Sequence, residues 1–187
     1  MNNKTKTMVG VGLLTAIVVV LQLLGGGIRF GIFSISLVLV PIVVGAALYG
    51  WQAGGWLGFA FGMTVLLNGD AAPFMAVDVL GTIVTVLVKG IGCGIAAGFV
   101  YRLFRKYRYL AVILAAVICP VVNTGIFLVG CKLFFFETIS AWGAAAGFAN
   151  AASYMFIGLA GTNFLVELGT NIVLAPVIVR LIRIGQK

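Results

Sequence analysis

The chain has 187 residues, of which 63% are hydrophobic and 9% charged, with a net charge of +8. Soluble domains run at about 45–50% apolar and about 25% charged residues, so an ordinary soluble domain is excluded and an integral membrane protein is indicated. There is no histidine, which removes the usual metal ligand and general base. The basic residues fall mostly at the ends of apolar runs, where membrane topology accounts for them better than nucleic-acid binding does.

A helix needs about 20 residues to cross the hydrocarbon, and on that measure residues 1–187 are expected to form one transmembrane domain of six spans. The start, MNNKTKTMVG, is basic and runs into an apolar stretch. No small-residue cleavage site with a polar sequel follows, so a retained first span is expected over Thr5–Leu24 rather than a signal peptide. Gly12 and Ala16 give this span a small-xxx-small face suited to close helix contact. The break Gly25–Gly31 ends it; here Arg29 could steer an anion or sit among headgroups, and Phe33 could anchor at the interface or touch a solute.

Span 2 is expected over Phe33–Tyr49 with Pro41 as a kink, and Gly50–Gly55 as a turn leading to a short span 3, Trp56–Leu67. Asn68–Asp78 is a loop that offers Asn68 and Asp70. Span 4, Leu80–Phe104, stops at the basic run Arg102–Arg108, and span 5, Tyr109–Phe135, contains Pro120. Glu137–Asn150 is a longer, partly helical loop carrying Trp142, and Tyr154–Leu159 leads into span 6, which ends near Ile184. Cys93, Cys119 and Cys131 form no CxxC pair and are expected as small buried apolar residues.

Lys4, Lys6, Arg102, Arg105, Lys106, Arg108, Arg180, Arg183 and Lys187 share one side of a six-span bundle, while Arg29 and Lys132 lie on the other together with Asp70, Asp78 and Glu137. The positive-inside rule then predicts that both termini are cytoplasmic.

A polar layer crosses this apolar chain. Asn163, Glu167 and Asn171 are four residues apart, so on a helix they stack on one face. Glu167 lies thirteen residues before Arg180, and Lys89 lies thirteen before Arg102. At about 1.5 Å per residue each is about 20 Å above the basic collar. Asn123 lies fifteen residues after Arg108, or about 22 Å up. Three polar groups from three spans therefore share one height. An ionisable residue inside a span marks a binding or transport site by default. Lys89 offers a cation, Asn123 an amide and Glu167 an acceptor. The competing structural explanation is a Lys89–Glu167 pair that joins two helices.

These residues carry a resemblance. The chain length, the six expected spans, the small-residue face of span 1, LVKG in span 4, CPVVNTGIF in span 5 and NFLVELGTNIVLAPVIVRLI in span 6 resemble the S-components of energy-coupling factor (ECF) vitamin transporters. The resemblance covers nearly the whole chain. It implies a multi-pass protein of the bacterial plasma membrane that captures a vitamin from outside. It also implies docking onto a transmembrane coupling subunit and two ATPase subunits. In that family the small-residue face of the first helix meets the coupling subunit, which carries over to Gly12 and Ala16, with Gly12 in place of the more usual alanine. Substrate sits beneath outer loops and between the later helices, which implicates Lys89, Asn123, Asn163 and Glu167, with Arg29, Phe33, Asn68 and Trp142 above them. The pattern is most similar to the pantothenate branch, and riboflavin is the main rival because loop aromatics can stack on a flavin ring.

The chain has no GxxxxGK[ST] phosphate loop, so ATP hydrolysis is expected in separate subunits. Neither a catalytic residue, a metal nor a cofactor is implied, and a membrane enzyme fits poorly with four acidic residues and no histidine. The alternative kept open is a stand-alone ion-coupled carrier of a small organic anion, with Lys89 and Glu167 as a charge relay.

Overall fold

Apolar runs between charged stops dictate helices, because in lipid each backbone polar group must be satisfied within its own segment. The computed structural model describes residues 3–27, 29–30, 33–34 and 37–185. The first helix, α1, spans Asn3–Gly27. Two-residue strands, β1 (Arg29–Phe30) and β2 (Phe33–Ser34), pair antiparallel with Phe30 opposite Phe33. Then follow α2 (Leu39–Tyr49), α3 (Trp51–Leu67), the short α4 (Ala72–Met75), α5 (Val79–Leu103) and α6 (Arg108–Phe134). Beyond them lie α7 (Phe136–Ala145), α8 (Ala151–Ser153), a π-helical turn over Tyr154–Leu159, α9 (Gly161–Val173) and α10 (Ala175–Gly185). The all-helical membrane class expected from composition holds.

Among the described residues, four helical segments are long and apolar enough to cross a membrane: Lys4–Gly25, Val79–Leu103, Arg108–Phe134 and Ala151–Val173. Many of their large apolar side chains, such as Leu13, Val20, Val84, Val88 and Leu165, point out of the protein, where a lipid phase accepts them.

The structure corrects three local expectations. Gly50–Gly55 is not a turn: a single residue, Gly50 at φ 93°, separates α2 from α3, and helix resumes at Trp51. Pro41 is no kink, because α2 starts at Leu39 and the proline falls in its first turn, where an amide hydrogen has no helical partner anyway. The expected sixth span is not one helix. A π-turn precedes α9, and Leu174 separates α9 from α10.

The closest packing is between α3 and α5. Gly54 and Gly58 on α3 lie against the backbone of Gly94 and Gly90 on α5, so that a Cβ at any of the four would strike the facing carbonyl. The spacing is small-xxx-small on both helices, which lets backbones approach where lipid offers no hydrophobic drive to pack. The two ends of α5 are fixed by local chemistry. Asp78 caps its N-terminus, with Oδ1 accepting from the Gly81 amide at 3.0 Å. Arg102 stands in its last turn, where a cation complements the helix dipole.

Two apolar clusters result. The larger joins α2, α3, α5, α6 and α10 through residues such as Leu39, Ile42, Leu57, Val112 and Ile178. The smaller holds Cys131, Phe135, Ile139, Ala151 and Met155, with Phe74 and Trp142 packed on it. All three cysteines are free and buried, as expected of small core residues.

Candidate solute-binding site

A cavity of about 680 Å³ lies between the two clusters. Lys89, Asn123, Asn163 and Glu167 all line it. The three residues that the depth count singled out, Lys89, Asn123 and Glu167, thus line one cavity together with Asn163 of the polar stripe.

The glycine seam fixes α5 against α3 and so sets where Lys89 projects. Its ammonium lies over two aromatic faces, 5.8 Å from the Phe61 ring centroid and 5.2 Å from that of Phe127. Such contacts contribute about 0.5–2 kcal/mol, more when desolvated. Glu167 acts on Lys89 through its field, but among the described residues no direct ion pair joins them. The pairing that would zip two helices together is thus absent, and the two opposite charges face a shared space instead.

The Glu167 carboxylate and the Asn123 side chain are neighbours. Asn123 sits three residues beyond Pro120, which α6 accommodates without interruption. Its Oδ1 is buried without a protein partner. One turn further along α9, Asn171 is fully buried. It does not line the cavity; its Nδ2 donates to the Glu167 backbone carbonyl at 2.9 Å. The polar stripe thus has two roles, with Asn163 and Glu167 in the cavity and Asn171 bracing the helix beneath them.

At the mouth, Asp70 lines the cavity, and its Oδ2 accepts from Gln22 Nε2 on α1 and from Asn68 Nδ2, each at 2.8 Å. The Asp70 amide donates to Asn68 Oδ1 at 3.0 Å. Asn68 therefore bears on the cavity through Asp70 rather than by lining it. Trp142 also stands behind the wall: its ring meets Phe74 edge-on at 5.7 Å, and Phe74 is the lining residue. Asn150, at the end of the same loop, is exposed and forms a capping box with Ser153 at the start of α8. The side chains of Arg29 and Phe33 lie outside the described residues.

Sequence reasoning missed Gln22, Phe61, Phe74, Thr85 and Phe127. Gln22, a polar residue inside the first apolar run, and Thr85, four residues before Lys89 and so on the same helical face, left a signal. The three phenylalanines are three of 14, and nothing local separates a wall aromatic from a lipid-facing one.

A membrane-embedded helical bundle enclosing a cavity with mixed polar and aromatic walls belongs to the class of solute-handling membrane proteins. Comparison with protein families narrows this: the model for the substrate-specific component of ECF transporters matches residues 6–179. The chain belongs to that family. No curated protein and no solved structure matches it. It is accordingly a multi-pass membrane transport subunit, not an enzyme, and the family implies a vitamin substrate and an ECF module as partner.

Proposed function

We propose that this S-component captures pantothenate from outside the cell in the cavity lined by Lys89, Asn123, Asn163 and Glu167. It would then hand the vitamin on after docking with a coupling subunit and two ATPase subunits. The observation that carries the choice of solute is the Lys89 ammonium, held over Phe61 and Phe127 without a paired carboxylate among the described residues. A carboxylate-bearing solute supplies the missing anion. Pantothenate also carries hydroxyl and amide N–H donors that suit Glu167, the Asn123 carbonyl and Asn163. Asn68 and Trp142 act from behind the wall in this reading, Asn68 by holding Asp70 in place and Trp142 by packing on Phe74. Six passes with both termini in the cytoplasm fit the basic clusters, with α2 and α3 as the short pair.

A second reading has specific support. Phe61, Phe74, Phe127 and Phe135 line the same cavity, and aromatic walls suit a flavin. The engagement of Phe74 edge-on with Phe127, Phe135 and Trp142 ties those rings to one another, which favours pantothenate over riboflavin.

Thermal melting of the detergent-purified chain with each water-soluble vitamin tests both. A ligand at a hundred times its Kd stabilises by about 2.7 kcal/mol, so pantothenate is expected to raise the melting temperature by several degrees and riboflavin to leave it unchanged. Stabilisation by riboflavin alone overturns the choice of solute, and stabilisation by no vitamin overturns capture in this cavity.

A further inference from the structure

Thr85 stands out among the described buried threonines. Thr64 and Thr82 each donate a hydroxyl hydrogen to the carbonyl four residues earlier, at 2.8 and 2.6 Å. That is the ordinary way for a helical threonine to satisfy itself where water is scarce. Thr85 lies on α5 one turn before Lys89, is 5% exposed and lines the cavity, yet its Oγ1 has no protein partner. Gly130 on α6 is so close that a Cβ there would strike both the Thr85 hydroxyl and its methyl.

On α6, Asn123 also lines the cavity, and its buried Oδ1 has no protein partner. Buried polar groups are normally satisfied, and each exception in a folded protein calls for an explanation. Among the described residues three such atoms occur: Asn171 Oδ1 lies off the cavity, and the other two belong to cavity-lining residues on the packed helices α5 and α6.

We infer that Thr85 is a ligand-contacting residue that, with Asn123 Oδ1, selects for a solute bearing a hydroxyl or amide N–H near its anionic end. The inference rests on the capture reading above and adds a specificity element to it. A carbonyl oxygen only accepts, so the solute must bring at least one donor; the threonine hydroxyl can donate or accept. Thr85 and Lys89 are four residues apart on one helical face, about 6 Å along the axis. The solute's hydrogen-bonding group and its carboxylate should therefore be separated by about that distance. A carboxylate on a bare alkyl chain satisfies Lys89 but leaves both oxygens unpaired, and a site built around such groups discriminates strongly against ligands that lack the matching group.

The test is isothermal titration of the full-length chain in detergent, wild type against Thr85→Val and Thr85→Ser, with pantothenate and riboflavin as probes. For whichever probe the wild type binds, T85V should bind about tenfold or more weakly and T85S within about threefold. Without ligand, T85V should melt at or above wild type, because valine removes an unsatisfied buried hydroxyl. T85V binding within twofold of wild type overturns the inference, as does a ligand-free T85V that melts well below wild type, which makes Thr85 a packing residue. If the wild type binds neither probe, the capture reading falls and the Thr85 inference falls with it, an outcome distinct from binding that T85V leaves unchanged.

Discussion

An ammonium and a carboxylate in one membrane protein invite the explanation that they hold it together. Lys89 and Glu167 behave otherwise: Lys89 rests on Phe61 and Phe127, and Glu167 neighbours Asn123. Removing one member of a buried pair costs about 3–5 kcal/mol because the other charge is stranded. Residues that instead meet a solute should lose affinity first. Glu167→Gln keeps shape and one acceptor oxygen, and Asn123→Ala removes the buried amide. Each is expected to weaken solute binding about tenfold or more while moving the ligand-free melting temperature by only a few degrees. Titration calorimetry alongside thermal melting checks this, and unchanged affinity in both variants would count against the cavity. Asn171 provides the contrast. It is fully buried and donates to the backbone of α9, so Asn171→Ala should lower stability more than affinity.

At the scale of elements, the glycine seam between α3 and α5 decides where the cavity wall stands. Gly58→Ala adds one methyl against the Gly90 carbonyl, and overpacking of a tight contact costs about 1–3 kcal/mol. Gly169→Ala, at a position with nothing nearby, should be neutral or slightly stabilising because alanine is the better helix former. A melting temperature for G58A equal to that of G169A would show that the seam is not as close as described. This seam also marks the limit of what the sequence disclosed. The ends of α5 and α6 fall within one residue of expectation because an Asp78 cap and the basic run Arg102–Arg108 bound them. The height shared by Lys89, Asn123 and Glu167 was legible because helical rise is fixed. Gly50–Gly55 was misjudged because glycine breaks helices in water but packs them in lipid, and the two uses look alike in one dimension. The π-turn before α9 and the aromatic wall depend on which helices become neighbours, which no local pattern encodes.

For the whole molecule, the surface of α1 raises a question that the cavity does not. Gly10 faces inward, where a Cβ would strike the Tyr49 ring, whereas a Cβ at Gly12 meets nothing within 4 Å, and Gly12 and Ala16 are both exposed. A small-residue face on a helix surface has no packing role inside its own chain, and within a bilayer it favours close approach by another helix. Membership of the ECF family makes the coupling subunit the partner to test. Gly12→Leu should leave solute affinity and melting temperature as in wild type but reduce recovery of the coupling subunit in a pull-down by about tenfold. Gly10→Leu serves as the control for an inward-facing position: it should lower the melting temperature through its clash with Tyr49. Normal recovery with G12L would remove Gly12 from the docking surface. A G12L chain that loses solute affinity in isolation would mean that α1 communicates with the cavity, a route open through Gln22 on the same helix, which donates to Asp70 at the mouth.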